Sequence, residues 1–139
     1  MPRHAPTGGA AGEVASQSEL RPDELIRYGR HLSLPVVGLA GQERLRGASV
    51  AIVGLGGLGS PAAMYLAAAG VGTLGLIEGD RVELSDLQRQ VLYGDEDVGQ
   101  PKVEVAARRL NRMNPDVDLL LFAGRLDSSN AMEVLKGFD

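Results

Sequence analysis

The chain has 139 residues, which is the length of one domain or of part of one. It carries 14 Lys and Arg against 18 Asp and Glu, so it lacks the basic excess that binding to a nucleic-acid backbone requires. No cysteine is present, which excludes disulfides, thiolate metal sites and a cysteine nucleophile within this sequence. Glycine is frequent, with 19 residues, or about twice the average usage.

The N-terminus and the least polar stretch of the chain bear on targeting and on membranes. Residues 1–19 contain no apolar run long enough for a signal peptide, and we expect a disordered tail over residues 1–20. The least polar run, residues 54–77, contains seven glycines and one proline, which argues against a membrane span. We therefore expect a soluble, cytoplasmic protein with no membrane partner and no nucleic-acid partner.

The predicted elements begin with helices and continue as strands that alternate with helices. An N-terminal helical segment covers residues 21–47, with a break at Pro35. The apolar, β-branched run SVAIV at residues 49–53 predicts a strand buried on both faces, as in a parallel sheet. The later elements are a helix at 60–69, a strand at 73–77, a polar connection or short helix at 84–93, a helix from 101 to 113, a strand at 117–122 and a helix at 130–135.

This order of elements predicts an α/β fold. Three strands joined by helices make the N-terminal half of a Rossmann-like parallel sheet with flanking helices, here over residues 48–139. The complete nucleotide-binding fold has two such halves, so we expect a truncated half-domain that follows the helical segment.

A glycine motif lies between the first strand and its helix. Gly54, Gly56 and Gly59 spell G-x-G-x-x-G. The first glycine permits the tight turn, the second lets the backbone approach a phosphate, and the third lets helix and strand pack closely. Free amide groups at the start of the helix then face the anion. Because the flanking strands and helix are all predicted, the motif indicates nucleotide binding, with a tight turn that holds no ligand as the alternative.

Four charged residues are candidates for contacts with the nucleotide. Glu78 ends the second strand, where an acid accepts hydrogen bonds from ribose hydroxyls, and Asp80 competes for that role or faces a metal. Lys102 opposes the dipole of the helix that it begins, which suggests a nearby anion. Arg89 is able to grip phosphate oxygens with two nitrogens. A solvated surface position remains the alternative for both cations.

Several separate motifs occur together in the chain. They are RYGRHLSLP (27–35), GQERL (41–45), VGLGGLGSP (53–61), YLAAAGVG (65–72), SDLQRQV (85–91), DVGQPKVEVA (97–106) and NRMNPDV (111–117). In order and spacing they resemble the ubiquitin-activating-enzyme-like adenylyltransferases, of the molybdopterin-synthase type (MoeB) and the thiamine-biosynthesis type (ThiF). The resemblance covers about residues 24 to 139, whereas a dehydrogenase would share only the glycine loop.

The resemblance implies an activity and its partners. It implies that ATP and Mg²⁺ bind and that the C-terminal Gly-Gly carboxylate of a ubiquitin-like sulfur-carrier protein is adenylated, in a molybdopterin, thiamine or thiolation pathway. Only the N-terminal part of the family pattern is present in this sequence, so we expect these 139 residues to be inactive by themselves. Arg30 would reach the ATP of the partner subunit in a homodimer, and structural zinc is expected only in a C-terminal part that this sequence does not contain. The glycine motif, the position of the acids and the resemblance together give the residues expected to bind ATP: Gly54, Gly56, Gly57, Gly59, Glu78, Asp80, Ser85, Asp86, Leu87, Gln88, Arg89 and Lys102. Arg89, Lys102 and Arg30 are expected to be catalytic.

The sequence departs from the family pattern at two of these positions. Asp86 stands where the family typically has Asn, and an additional acid near a triphosphate is electrostatically unfavourable. Glu78 stands where the family usually has Asp, a milder change. No metal ligand is expected within this chain.

Two alternative functions remain, namely a non-catalytic module that binds nucleotide or dimerises and an NAD-dependent oxidoreductase.

Overall fold

The computed structural model of the protein describes residues 20–139. The tail predicted for residues 1–20 lies outside the described residues except at its last position. Leu20 is only 5% exposed. The folded part therefore includes a residue that the sequence analysis assigned to the tail.

Residues 20–139 contain six α-helices, three strands and two short 3-10 turns. The longest helix has 12 residues, and no helix within residues 20–139 is long and apolar enough to cross a membrane. In chain order the elements are α1 (Pro22–Arg27), α2 (Gly29–Leu32), α3 (Gly38–Gly47), β1 (Ser49–Val53), α4 (Gly59–Ala69), β2 (Thr73–Glu78), the 3-10 turns Leu84–Asp86 and Asp95–Asp97, α5 (Lys102–Met113), β3 (Asp118–Ala123) and α6 (Ala131–Val134).

The three strands form one parallel sheet in the order β1-β2-β3. This arrangement confirms the predicted Rossmann-like half-sheet with flanking helices. One expectation is wrong, since β1 is not buried on both faces. Ile52 is its only buried residue and Val53 is 56% exposed. Within residues 20–139, β1 is paired with a strand on one side only, whereas β2 is paired on both sides and is buried.

The hydrophobic core lies between the sheet and the helices α4 and α5. Leu74 and Leu76 of β2 pack with Leu110 of α5, and all three side chains are fully buried. Burying each such side chain contributes about 2 kcal/mol to stability. The core therefore holds the carboxyl ends of the strands, and the loops that follow them, in a fixed relation to the start of α5.

Buried polar contacts attach the N-terminal helices to this core. The Asn114 side-chain amide donates to the Tyr28 hydroxyl at 2.8 Å and to the Ala67 carbonyl at 2.8 Å. His31 Nδ1 lies 2.9 Å from Oε1 of the buried Gln42, and the His31 ring stacks on Tyr28. His31 thus has a packing role.

Candidate functional site

The glycine loop follows β1 and leads into α4. Gly54 has a φ of 88°, a conformation that favours glycine. A Cβ atom built on Gly59 would lie 1.7 Å from the Gly54 carbonyl oxygen, so the loop closes only without a side chain there. A Cβ on Gly57 would meet nothing nearer than the Arg89 side chain at 3.9 Å. The backbone at Gly57 is therefore open to a close approach.

Glu78 ties the end of β2 to this loop. One carboxylate oxygen accepts a hydrogen bond from the Leu55 amide at 2.8 Å, and the other accepts from the amides of Gly79 and Asp80 at 2.8 and 2.9 Å. Carboxyl ends of parallel strands meet at one edge of a sheet, which explains why this acid reaches the loop after β1. Asp80 points elsewhere, since its side chain is 54% exposed and pairs with Arg125 at 3.2 Å.

The segment from residue 84 to residue 93 packs beneath the glycine loop. The Tyr93 hydroxyl donates to the Leu55 carbonyl at 2.7 Å, and burial raises the pKa of this hydroxyl so that it remains a donor. Leu87 packs against the core, whereas Ser85 and Gln88 are exposed. The Gln88 amide and the guanidinium of Arg89 both donate to the Ser85 carbonyl, at 3.2 and 3.0 Å.

Lys102 and Asp86 form a buried ion pair at the start of α5. Lys102 Nζ lies 3.2 Å from Asp86 Oδ2, and their side chains are 7% and 10% exposed. Arg89 approaches the other oxygen of Asp86 at 3.8 Å. The hydrogen bond from the Glu83 amide, together with these two cations, holds the pKa of Asp86 below its ordinary value although burial opposes the charged form. The sequence analysis predicted an anion near Lys102. In the structure this anion is the carboxylate of Asp86.

Most of the predicted site residues lie close together, but Arg30 lies apart from them. The glycine loop, Glu78, the Ser85–Arg89 segment and Lys102 lie together, and Asp80 is at the margin. Arg30 lies on α2, where it is exposed and makes no ion pair within residues 20–139. Its predicted role depends on a second subunit.

Two residues of the site were missed by the sequence analysis. Tyr93 supports the loop from below, and the Gln90 side-chain amide donates to Asp86 Oδ1 at 3.1 Å. Gln90 is 3% exposed, and its Oε1 has no hydrogen-bond partner within residues 20–139. The four-residue spacing of Asp86 and Gln90 was the available signal, because residues so spaced face each other on a helical turn.

Metal ligands are not clustered in the part of the chain described. Within residues 20–139 no group of three or more His, Asp and Glu side chains is arranged to hold a metal ion. The site offers the backbone of the glycine loop, the cations Arg89 and Lys102, and the carboxylates of Glu78 and Asp86.

Comparison with known proteins fits this arrangement. A protein-family model for the ThiF family matches residues 28–139. The chain belongs to the ThiF family. This membership and the sheet topology confirm the resemblance stated from the motifs.

Named relatives of this ThiF-family chain are adenylyltransferases. It is 56% identical over 117 residues to the sulfur carrier protein adenylyltransferase of Thermus thermophilus, covering 84% of this chain and 43% of the relative. It is 45% identical over 126 residues to the probable adenylyltransferase/sulfurtransferase MoeZ of Mycobacterium tuberculosis, covering 91% of this chain and 32% of that protein. The chain therefore spans less than half the length of these relatives.

A solved structure supplies a comparison in which nucleotide is present. The E. coli tRNA N6-threonylcarbamoyladenosine dehydratase TcdA in complex with ATP has a TM-score of 0.79 to this chain and 28% identity, covering 84% of this chain and 47% of that one. The ThiF-family fold of this chain is thus shared with a protein that binds ATP.

Proposed function

We propose that this chain supplies the ATP-binding part of a cytoplasmic adenylyltransferase that activates the C-terminal Gly-Gly carboxylate of a ubiquitin-like sulfur-carrier protein. The observation that carries the proposal is the convergence of the open glycine loop, Arg89 and Lys102 at one end of the sheet. A dinucleotide-binding loop alone does not need two cations at this place. The names of the curated relatives support the carrier protein as the acyl substrate.

The arrangement of residues fits ATP. The glycine loop provides backbone amides and an open surface at Gly57, where a phosphate is able to approach. Arg89 and Lys102 provide positive charge next to that surface. Glu78 is proposed to bind the ribose, since its Oε2 accepts only from the Leu55 amide and retains one further accepting position. Mg²⁺ is proposed to arrive with the nucleotide, since phosphate oxygens are its usual ligands.

The proposed reaction is an in-line transfer at the α-phosphate. A carboxylate oxygen of the carrier's terminal glycine forms a bond to phosphorus, the bond to the bridging oxygen breaks, and pyrophosphate leaves with the electron pair. The contribution of the protein is to position the reactants and to neutralise phosphate charge. Arg89 and Lys102 perform the second task, which explains why two cations lie beside a glycine loop.

Replacing Arg89 by alanine tests this assignment. Adenylation is expected to fall by about hundredfold, since a charge-assisted hydrogen bond to phosphate is lost. ATP–pyrophosphate exchange by the full-length enzyme that contains this segment, with a carrier protein that ends in Gly-Gly, is the measurement. Arg108→Ala is the control, because Arg108 is similarly exposed and pairs with Asp97 rather than with Asp86. Unchanged exchange in Arg89→Ala would remove this residue from the mechanism.

The same assay separates the alternative functions. In the full-length enzyme, exchange at background level despite measurable ATP binding would support a non-catalytic nucleotide-binding or dimerisation module. Tighter binding of NAD than of ATP would support an oxidoreductase. The proposal requires both a preference for ATP and exchange that depends on the carrier protein.

We also propose that the protein acts as a homodimer in which Arg30 completes the site of the partner subunit. Arg30 is exposed on the N-terminal helical segment, which also exposes apolar side chains, with Ile26 at 83% and Val36 at 89%. We propose that these side chains are covered in the homodimer, since contiguous exposed apolar patches mark protein–protein contact surfaces.

Subunit mixing tests the role of Arg30. An Arg30→Ala subunit and a Lys102→Ala subunit are each expected to be inactive as homodimers. Their heterodimer has one site with both residues intact, so about half of the wild-type exchange activity is expected. Purified heterodimers that remain inactive would contradict the contribution of Arg30 across the interface.

A further inference from the structure

Two buried aspartates of this chain occupy matching positions. Asp86 is the third residue of the first 3-10 turn and accepts a hydrogen bond from the Glu83 amide at 2.9 Å. Asp97 is the third residue of the second 3-10 turn and accepts from the Gly94 amide at 2.9 Å. They are 7% and 4% exposed. Each therefore closes a turn in the same way.

Both aspartates also pair with a cation of α5. Asp86 pairs with Lys102 at 3.2 Å, and Asp97 pairs with Arg109 at 2.9 Å. The two pairs differ in what surrounds them. Lys102 lies beside the glycine loop, whereas Arg109 lies a further two turns along α5 and contacts the acidic residue Glu96. The pair of Asp97 and Arg109 lies away from the glycine loop and is explained by its stabilising role. The pair of Asp86 and Lys102 places a negative charge among residues that are suited to bind an anion.

Asp86 engages both cations of the site. Its Oδ2 faces Lys102 and its Oδ1 lies 3.8 Å from Arg89 and 3.1 Å from the Gln90 amide nitrogen. A phosphate group that binds both cations must share them with this carboxylate. One of the two positive charges beside the glycine loop is thus cancelled before any nucleotide arrives.

We propose that Asp86 is an internal counter-ion that competes with the triphosphate for Lys102 and Arg89, and that it thereby lowers the affinity of the site for ATP relative to adenosine. The inference rests on the proposed function, because it requires that phosphates bind at these cations. Asp86 acts through the cations and is therefore a positioning residue. It holds Lys102 in place in the absence of nucleotide and weakens binding of the triphosphate.

The substitution Asp86→Asn removes the charge and keeps the shape. Its carbonyl oxygen is able to accept from the Glu83 amide as before. Its amide group is able to donate to Oε1 of Gln90, which is buried and has no partner within residues 20–139. The variant keeps the hydrogen bonds of the turn but leaves the buried Lys102 without its counter-ion, so a substantial loss of thermal stability is expected.

Calorimetric titration of the protein with ATP and with adenosine is the test. Asp86→Asn is expected to bind ATP more tightly by about tenfold or more, because repulsion between the carboxylate and the phosphates is removed. Adenosine carries no phosphate, so its affinity is expected to change by less than about threefold. The titration is run with Mg²⁺ and with EDTA, and the gain is expected to be larger without the metal.

Asp97→Asn is the matched control. It makes the same chemical change in a turn of the same type, so it reproduces the structural part of the effect. Its affinities for ATP and adenosine are expected to stay within about twofold of wild type, since the sites are separate. Asp86→Ser, which retains a hydroxyl oxygen for the Glu83 amide, is measured in parallel so that poor folding of one variant does not decide the result.

The outcomes separate this inference from the proposed function. Unchanged or weaker ATP binding in both Asp86 variants, with ATP binding by the wild type intact, would overturn the counter-ion role alone. An equal gain for ATP and adenosine would also overturn it, because the effect would then not depend on phosphate charge. Absence of ATP binding by the wild type and by every variant would overturn the proposed function and this inference together.

Discussion

The Lys102→Ala variant is expected to lose ATP affinity by about hundredfold, because it removes a charge-assisted contact to phosphate. A loss of stability is expected at the same time. The side chains of Lys102 and Asp86 are 7% and 10% exposed, so the substitution leaves a buried carboxylate without its main partner. Breaking a buried pair in this way costs about 3 kcal/mol. Calorimetric titration with ATP and thermal unfolding measure the two effects separately.

A double variant shows that the two losses have different causes. Asp86→Asn combined with Lys102→Ala removes both charges, so most of the stability is expected to return while ATP affinity remains below that of wild type. Arg109→Ala is the control for a broken ion pair on the same helix, since Arg109 pairs with Asp97 at 2.9 Å. ATP binding that survives in Lys102→Ala within about threefold would rule out Lys102 as a phosphate ligand.

Alanine substitutions at two glycines of the same loop are expected to affect different properties, namely stability at Gly59 and ATP affinity at Gly57. Gly59→Ala would place a methyl group 1.7 Å from the Gly54 carbonyl oxygen, which belongs to the backbone and cannot move aside without opening the loop. The free energy of unfolding is expected to fall by about 3 kcal/mol. Chemical denaturation of the wild type and the variant is the measurement, and a change below about 1 kcal/mol would contradict the tight closure of the loop.

Gly57→Ala is the partner experiment, and its expected effect is on binding. The nearest atoms to the added methyl group belong to the Arg89 side chain at 3.9 Å, so stability is expected to change by less than about 0.5 kcal/mol. The methyl group would occupy the surface on which a phosphate is proposed to lie, so ATP affinity is expected to fall by about tenfold. A variant that keeps full affinity would show that the nucleotide does not approach the backbone at Gly57.

The βαβ unit is predictable from the sequence because its signals are local. The strand predicted at residues 49–53 is β1 without change, and the second strand extends one residue beyond its prediction, to Glu78. Gly70 ends α4 in the left-handed conformation, as a glycine after a helix commonly does. Each of these features depends on a few neighbouring residues, and for that reason the fold class follows from the pattern.

The partners of the charged residues are not predictable in the same way. The sequence indicates that Lys102 needs an anion, because a cation is unfavourable at the start of a helix. It does not indicate that Asp86 is that anion, since the two residues come together only when the 3-10 turn packs against α5. The apparent conflict between Asp86 and a triphosphate therefore becomes an internal ion pair in the folded protein.

The sequence by itself determines the ThiF-family membership of this chain, its parallel half-sheet and the position of the glycine loop, because strand, turn and helix signals act over short distances. Tertiary structure alone decides which side chains share the space beneath that loop and how deeply each is buried. It also decides how far β1 is exposed within residues 20–139, since the exposure of a strand depends on its neighbours and not on its own residues. Ion pairs and burial are properties of packed elements, and packing joins residues that lie far apart along the chain.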